Sequence, residues 1–396
     1  MADTRTLILV LGMHRSGTSV LTRVLNLLGA DVGEDLLEAQ QGVNARGFWE
    51  HRELVSINEQ LLSALGRKWY DFLPLPSQWW SENSISDLEQ QAESFLRSAF
   101  AADASLAVIK DPRLCLLLPF WEVAAQKAGW NPVVVLATRE PGEVSASLCR
   151  RDPLTEDSAN LLWLRYTSDS EKASRELPRS SADYAALLND WKAVLRRVGE
   201  GLAITWPNDL DETAEAIAEA IDPSLCHQEQ QEAESGGGLH DMTAQAYSLL
   251  HSGKLEVAAL DAVWQDYERL LEDGQVLAES LARTNRRLFA INNEMQILGD
   301  DHQRALDVIA EKDGQQEKLA GELAHAHSII DERDAQIKEL SGDLEYARSV
   351  VEERDSQLQK LASELEYAVS IVEERDAQLN HAAVKIVRKL FAVDRK

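Results

Sequence analysis

Residues that suit the binding of an anion are concentrated near the amino end of the chain. Two glycines, one fixed cation and three hydroxyl side chains lie together in the segment Gly12-Met13-His14-Arg15-Ser16-Gly17-Thr18-Ser19. A glycine-containing turn exposes backbone N–H groups, and these groups, the guanidinium and the hydroxyls all donate hydrogen bonds. The residue types and their spacing therefore predict a loop that binds a phosphate or a chemically similar group.

The flanking residues predict the elements that must hold this loop in place. The large aliphatic residues from Leu7 to Leu11 follow one another without a break, which is typical of a parallel strand buried on both faces. After the loop, apolar residues recur at helical spacing, and Gly29 stands where a helix would end. The loop would then join a strand's carboxyl end to a helix's amino end, where backbone N–H groups and the helix dipole favour a phosphate.

The loop departs from the common nucleoside-triphosphate motif at one position. Gly12 and Gly17 have the spacing of G-x-x-x-x-G-K-[ST], but Thr18 replaces the lysine that neutralises the outer phosphates. The segment instead resembles the 5′-phosphosulfate loop of sulfotransferases that use 3′-phosphoadenosine-5′-phosphosulfate, with its cation earlier in the loop, as Arg15 is here. The resemblance implies that the donor is bound by His14, Arg15, Ser16, Gly17, Thr18 and Ser19. Taken alone, the segment is also explained by a chance strand–turn–helix.

A second stretch resembles the element with which these sulfotransferases bind the donor's 3′-phosphate. Arg139 follows the apolar run Val133–Ala137, Pro141 comes two residues later, and Ser147 stands eight residues after the arginine. A helix that begins at a proline beside a surface arginine would explain this stretch alone. Its occurrence in the expected order, about 120 residues after the first loop, favours a donor site that includes Arg139 and Ser147.

A third element, Lys110-Asp111-Pro112-Arg113, follows the apolar pair Val108-Ile109. Its first three residues resemble the Lys-Asp-Pro trio of tyrosylprotein-type sulfotransferases, which implies that Lys110 contacts the transferring sulfuryl group. A surface ion pair before a proline turn explains the same residues equally well. Two later segments, Trp163–Tyr166 and Tyr184–Trp191, resemble helices of bacterial carbohydrate-type members. The resemblance covers roughly residues 5–225 and implies a carbohydrate hydroxyl as acceptor and no metal.

An acceptor hydroxyl loses a proton during sulfuryl transfer, so the scheme requires a base. We assign this role to Glu50, because family members place a catalytic glutamate or histidine in this general region. Glu50 lies in the motif Asn44-Ala-Arg46-Gly47-Phe48-Trp49-Glu50-His51-Arg52-Glu53. An acidic residue favoured at a helix amino end accounts for Glu50 equally well. The alternatives that stay open are His51, Glu53, Glu34 and Asp35.

Strands that alternate with helices predict an α/β fold with a P-loop-type, doubly wound parallel sheet. Further strands are expected at Leu106–Ile109, Val133–Ala137 and Leu202–Thr205, whereas the polar run Arg179–Asp183 is a doubtful strand. The carboxyl ends of parallel strands share one edge of a sheet, so the fold predicts that Arg15, Lys110 and Arg139 lie at one rim.

Composition divides the chain near residue 235. All ten prolines occur by Pro223 and all ten tryptophans by Trp264, and Ser235-Gly236-Gly237-Gly238 is the clearest flexible punctuation. The net charge of −27 argues against a nucleic-acid partner. The three separated cysteines, which form no CxxC pair, indicate reduced thiols, and the lack of a leader pattern predicts a cytoplasmic protein. The cysteines are Cys115, Cys149 and Cys226.

The last third follows a heptad pattern that predicts a long α-helical coiled coil. One position of every seven is apolar from Leu281 to Leu379, except at His302 and Gln316. A 21-residue repeat, seen in SIIDERDAQIKEL and SVVEERDSQLQKL, places an arginine in the apolar seam of each copy. The expected partner is a second copy of the chain, with docking of glycan-assembly enzymes as another use of the coil. We therefore predict a sulfotransferase-like domain at 1–235, a linker and helical hairpin at 236–276, the coil at 277–383 and a basic amphipathic tail at 384–396.

Two other function classes remain beside the sulfotransferase. A P-loop kinase or nucleotide hydrolase is disfavoured by Thr18 and by the Arg139–Ser147 element, and a non-catalytic coiled-coil scaffold by the three intact cations. For the basic tail, a frayed coil end and peripheral contact with the inner face of an anionic membrane both stay open.

Overall fold

The computed structural model describes residues 5–39, 47–81, 85–221, 238–251 and 256–391. Residues 1–297 form one compact unit, and a second unit begins at Leu298. The strands are β1 (Thr6–Leu11), β2 (Leu106–Lys110), β3 (Asn131–Thr138) and β4 (Arg179–Asp183). The helices are α1 (Thr18–Leu27), α2 (Arg52–Ala64), α3 (Ser86–Ser98), α4 (Leu114–Lys127), α5 (Pro141–Arg151), α6 (Glu156–Ala173), α7 (Tyr184–Asn189), α8 (Trp191–Leu202), α9 (Ala214–Ala220), α10 (Gly238–His251), α11 (Val257–Asp273) and α12 (Gln275–Phe391).

The strands form a parallel sheet in the order β2-β1-β3-β4, with β1 in its interior. Val10 of β1 pairs with Lys110 of β2 and with Val135 of β3, so the three strands end at nearly the same level. The loop after β1, the end of β2 and the turn after β3 therefore lie at one edge of the sheet. This arrangement confirms the predicted α/β class with a parallel sheet.

Helices cover both faces of the sheet, as expected of a doubly wound fold. Leu7, Leu9 and Leu11 of β1 face one apolar core, which is completed by helices α2, α3, α4 and α6. Ile8 and Val10 face a second core, built with α1, α8 and α9. Because successive side chains of a strand point to opposite faces, a continuous aliphatic run is what two cores require.

One predicted strand is wrong and one doubtful strand is real. The segment expected to be a strand at Leu202–Thr205 instead contains the end of α8 and an irregular stretch, and Ala203 there has a positive φ of 54°. The fourth strand is Arg179–Asp183, whose polar residues pair with Val134 to Thr138 of β3. A strand of Ser, Ala and Asp has no apolar signature of its own, and its pairing with β3 is set by the tertiary fold.

The first unit extends beyond residue 235, where the sequence analysis ended the globular domain. Helices α10 and α11 contribute Leu250, Leu260 and Trp264 to the first core, and Ala282 of α12 is buried in the same core. Helices α10 and α11, which lie in the segment predicted to be a linker and helical hairpin, thus belong to the packed structure. The residues outside the described part of the chain are 1–4, 40–46, 82–84, 222–237, 252–255 and 392–396. They include Asn44, Arg46, Cys226 and the first three residues of the predicted punctuation, Ser235 to Gly237, whereas its last residue, Gly238, begins α10.

The second unit is the helix α12 from Leu298 onward. Its large apolar side chains are exposed in the single chain, including Leu340 at 66% and Leu365 at 66%. A long C-terminal helix was predicted and is confirmed. Nowhere in the described part of the chain is a helix both apolar and long enough to cross a membrane.

Candidate anion-binding site at the carboxyl edge of the sheet

The loop between β1 and α1 is built from two residues in the left-handed region of backbone conformation. Arg15 has a φ of 70° and Gly17 a φ of 80°. The turn is closed by the backbone N–H of Ser16, which donates to the carbonyl of Met13 at 3.1 Å. A non-glycine residue with positive φ is uncommon and costs free energy, and such residues are concentrated at functional sites. The backbone of Arg15 is therefore strained in this loop conformation.

The loop is packed tightly from both sides. A Cβ on Gly17 would lie 2.2 Å from Cδ2 of Tyr184, and a Cβ on Gly12 would lie 2.7 Å from the carbonyl oxygen of Ala137. Ser16 and Thr18 are buried. Thr18 begins α1, and its methyl group packs toward Gly12. The loop is thus held in a narrow space between β3 and α7, with the amino end of α1 directed into it.

The two elements that the sequence assigned to one donor site meet in the structure. Nε of Arg15 donates to Oγ of Ser147 at 2.8 Å, and Nη1 of Arg139 donates to the carbonyl oxygen of Arg15 at 3.1 Å. Arg139 also pairs with Glu143 at 2.7 Å and lies over the ring of Tyr184, 4.6 Å from its centroid. Two guanidinium groups and a hydroxyl therefore converge beside the amino end of α1.

Local sequence explains how the second element is positioned. Helix α5 begins at Pro141, and the side chain of Glu140 accepts hydrogen bonds from the backbone N–H groups of Gly142 and Glu143. A proline at the first helical position and a capping carboxylate both favour a helix start at this point. Arg139 is thereby left at the end of β3, and Ser147 lies on the second turn of α5, facing the loop.

Lys110 lies at the same edge of the sheet as the last residue of β2. Its Nζ contacts Oε1 of Glu50 at 2.5 Å and Oγ of Ser19 at 3.2 Å, and the lysine is only 2% exposed. Ser19 in turn donates to the carbonyl oxygen of Phe48. The structure thus brings together the loop, the strand-end lysine and the glutamate to which the sequence analysis assigned the role of base.

A buried network that the sequence did not reveal supports the strand end after Lys110. Asp111 is fully buried and accepts from Nδ2 of Asn58 at 2.9 Å and from Nη1 of Arg113 at 2.9 Å. Asn58 accepts from Nε1 of Trp121 at 2.7 Å, and Arg113 pairs with Glu59. Because Asn58 and Glu59 lie on α2 and Trp121 lies on α4, no local pattern identifies the whole network. A fully paired buried network fixes side-chain positions.

His14 lies at the other side of the loop, among aromatic rings. Its ring centroid is 4.6 Å from that of Trp69 and 5.9 Å from that of Tyr166. Burial and the nearby cations Arg151 and Arg113 hold the pKa of His14 well below its ordinary value, so the imidazole is neutral at neutral pH. Among the described residues, the buried Nε2 of His14 finds no hydrogen-bond partner.

The electrostatic character of the site is cationic. Burial, followed by the charges of Arg151 and Arg139, lowers the pKa of Arg15. A shift in this direction means that the charged guanidinium is disfavoured by its surroundings. An anion placed between these side chains would relieve their mutual repulsion, which is the property expected of a phosphate site.

The candidate bases differ sharply in their surroundings. Glu50 is 8% exposed, and burial raises its pKa above the ordinary glutamate value although Lys110 opposes the shift. His51 is also buried, and its ring packs edge-on against Phe95 and Phe100. Burial lowers the pKa of His51. The remaining candidates, Glu53, Glu34 and Asp35, are exposed. Of the five candidates, Glu50 is the one that contacts Lys110.

Tyr184, to which the sequence pattern assigns no role, packs against Gly17 of the loop and lies beside Arg139. Asp183 before it caps α7 and accepts a hydrogen bond from the hydroxyl of Tyr247 on α10 at 2.9 Å. Helix α10 thus contacts the start of α7, where Tyr184 packs against the loop. In the described parts of the chain, no group of three or more His, Cys, Asp or Glu residues is arranged to hold a metal ion.

The chain is similar to known proteins only in comparisons with solved structures. No family model matches the chain, and no curated protein matches it. The chain is similar to the sulfotransferase domain from the Synechococcus PCC 7002 olefin synthase, with a TM-score of 0.37 and 15% identity over 62% of this chain and 95% of that one. It is also similar to the sulfotransferase domain from the curacin biosynthetic pathway, with a TM-score of 0.38 and 18% identity over 62% of this chain and 98% of that one.

Proposed function

We propose that the protein transfers a sulfuryl group from 3′-phosphoadenosine-5′-phosphosulfate to a hydroxyl group, and that the acceptor is a carbohydrate or a surface glycan. The observation that carries the proposal is the hydrogen bond from Nε of Arg15 to Oγ of Ser147, together with the contact of Arg139 with the carbonyl of Arg15. Arg15 and Ser147 are 132 residues apart, and each belongs to a sequence element that resembles one half of a donor site.

The residues present fit such a donor. The amino end of α1, with Thr18 and Ser19, and the guanidinium of Arg15 would hold the 5′-phosphosulfate. Arg139 and Ser147 would hold the 3′-phosphate. Its negative charge would offset the repulsion from neighbouring cations that, after burial, lowers the pKa of Arg15. The donor supplies an activated sulfur whose leaving group is the 5′-phosphate.

The reaction is a single in-line displacement. The acceptor oxygen forms a bond to sulfur while the bond from sulfur to the 5′-phosphate oxygen breaks, and the acceptor's proton is taken up by Glu50. The products are a sulfate ester and 3′,5′-adenosine bisphosphate. Lys110 would stabilise the charge on the sulfuryl oxygens, and Arg15 with the loop amides that on the departing phosphate. The contact between Oε1 of Glu50 and Nζ of Lys110, at 2.5 Å, supports these two proposed roles.

Calorimetric titration of the full chain with 3′,5′-adenosine bisphosphate tests the donor site. We expect tight binding of the bisphosphate, weak or absent binding of ATP with magnesium, and a loss of at least tenfold in affinity in Arg139→Ala, because a charge-assisted contact is removed. The matched control is Arg269→Ala, which removes an exposed arginine of α11 that pairs with Asp266. Preference for ATP would instead support a kinase, and failure to bind either nucleotide would support a scaffold without catalysis.

A further inference from the structure

The helix of the second unit has an apolar seam whose described side chains are exposed. At the first seam position, called a, the exposed fraction of each large aliphatic side chain from Ile309 to Leu379 exceeds one half. Leu298, Leu319, Leu340 and Leu361 at the second seam position, called d, are equally exposed. An exposed apolar stripe of this length marks an interface. A strict period of seven is what a partner helix in a coiled coil covers.

The second seam position follows a cycle of three heptads. From Leu298 onward it holds a leucine, an alanine and a cation, and then repeats the same three types. The residues are Leu298, Ala305, Lys312, Leu319, Ala326, Arg333, Leu340, Ala347, Arg354, Leu361, Ala368 and Arg375. A second copy of the helix carries the same cycle. In a parallel pair, leucine therefore meets leucine and alanine meets alanine at position d only when the two helices are in register or are shifted by a multiple of 21 residues.

We propose that this seam is covered by a second copy of the chain, parallel and in register. The seam itself supports two parallel strands: from Leu298 onward its β-branched residues, such as Ile330, Val351 and Val372, all lie at position a, and its leucines recur at position d. The strongest support comes from the charges that flank the seam, at positions e and g of each heptad.

In a parallel pair, each g residue faces the e residue five positions later on the other helix. Without a stagger, every acidic g residue from Glu294 to Glu364 faces a residue that is not acidic. These pairs are Glu294–Gly299, Asp301–Leu306, Glu322–His327, Asp343–Arg348 and Glu364–Val369. Every acidic e residue faces an aliphatic one, in the pairs Val308–Asp313, Ile329–Asp334, Val350–Asp355 and Ile371–Asp376. No acid opposes an acid along either edge of this pair.

A stagger destroys this match. A shift of seven residues places acid opposite acid along one edge, in the pairs Asp301–Asp313, Glu322–Asp334, Asp343–Asp355 and Glu364–Asp376. A shift of fourteen residues also places acid opposite acid, in the pairs Glu322–Asp313, Asp343–Asp334 and Glu364–Asp355. A shift by the full 21-residue repeat restores the match but leaves 21 residues of apolar seam uncovered at each end. Like charges destabilise a pair, so the in-register arrangement is preferred.

The seam arginines fit the same arrangement. Arg333, Arg354 and Arg375 are each followed directly by an aspartate at position e. A d side chain of one parallel helix packs beside the d and e residues of the other, so each arginine lies next to the aspartate of the second copy. Polar seam residues lower stability and in exchange specify register and strand number.

Disulfide formation in the full chain tests orientation and register together. In Ala326→Cys and, separately, Ala368→Cys, the new thiol at position d faces its own copy only in a parallel, in-register pair. We expect both variants to form a covalent dimer under mild oxidation, at least tenfold more than the control Ser349→Cys at the outward position f. The wild-type chain, oxidised under the same conditions, shows whether the native cysteines form disulfides between copies.

In an antiparallel pair, at most one of these two residues can lie opposite the same residue of the other copy. In a parallel pair staggered by one repeat, neither residue does. A covalent dimer from only one variant, or from neither, would therefore overturn the proposal. So would a mass in light scattering of the unmodified full chain that corresponds to a monomer, trimer or tetramer.

A charge reversal tests the flanking edges independently. Arg348→Glu places an acid opposite Asp343 of the other copy on both edges, and we expect about a tenfold rise in the dimer dissociation constant. Adding Asp343→Lys restores the opposite charges and should restore the affinity. An unchanged dissociation constant in the single variant would contradict the pairing. Neither test depends on catalysis, so its outcome is separate from that of the donor titration.

Discussion

Arg15 joins the two halves of the candidate donor site through its side chain and its backbone. It donates to Ser147, and its carbonyl accepts from Arg139. We expect Arg15→Ala to lower turnover by roughly a hundredfold or more, because it removes a donor aimed at developing charge. The measurement is release of 3′,5′-adenosine bisphosphate from the sulfate donor with a panel of hydroxyl acceptors. The same turnover in the variant and the wild type would exclude the proposed role of Arg15.

Glu50 gives the proposal a pH signature. Burial raises its pKa, so the carboxylate becomes available as a base only above the ordinary glutamate range. We expect kcat/KM to fall as the pH is lowered through this raised pKa, and Glu50→Gln to lose both the activity and this limb of the profile. If the limb persists in the glutamine variant, another group is the base. Glu53→Gln, at an exposed position in the first turn of α2, is the control.

The turn from β1 to α1 depends on Gly17. Its positive φ is strained for any side chain, and an added methyl group would meet the ring of Tyr184. We expect Gly17→Ala to lower the free energy of unfolding by about 2–4 kcal/mol and to abolish donor binding. Gly66→Ala is a matched control, because Gly66 has a φ of 67° with open space around it. Equal losses in the two variants under denaturant would show that the contact with Tyr184 is unimportant.

The first turns of α12 form part of the wall behind the loop. Phe289 stacks on Tyr70 at 3.8 Å between ring centroids and meets Trp69 edge-on at 5.4 Å, while Trp69 contacts His14 of the loop. We expect Phe289→Ala to cost roughly 1–2 kcal/mol of unfolding free energy, because it removes two aromatic contacts. Donor affinity should fall with it, since the variant loosens the support of the loop.

The control for this variant is Arg287→Ala, which alters a neighbouring exposed position of the same helix. Thermal unfolding and donor titration of both variants separate the effects. If Phe289→Ala matched Arg287→Ala in both measurements, Phe289 would not support the loop.

The extent of the first unit leads to a prediction about truncation. Trp264 is fully buried and its Nε1 donates to Oε2 of Glu171, so α11 is an integral part of the core. We expect a chain ending at residue 235 to lose its cooperative unfolding transition, because it lacks α10, α11 and the buried Ala282. A chain ending at Ile297 should fold, bind the bisphosphate and have a smaller assembly mass than the full chain.

Circular dichroism and light scattering of the two truncated chains make the comparison. A well-folded 1–235 fragment would show that α10 and α11 are dispensable. An unchanged assembly state in the 1–297 fragment would place the contacts between copies in the first unit.

The amino-acid sequence determined the features that depend on local pattern. The aliphatic run before Gly12, the helix start at Pro141 and the heptads of α12 are local signals, because strand burial, helix capping and coiled-coil periodicity act over a few residues. From these and the rule for parallel sheets, the fold class followed. So did the expectation that Arg15, Lys110 and Arg139 share one rim.

The tertiary structure decided which side chains meet and where the unit ends. Glu50 contacts Lys110 across 60 residues of sequence, and Asp111 is paired through Asn58 on another helix. The polar strand Arg179–Asp183 is buried only because β3 and the surrounding helices cover it, and α10 and α11 join the core through contacts with α6. Such contacts carry no periodicity along the chain, since they depend on the packing of elements distant in sequence, and only the folded structure reveals them.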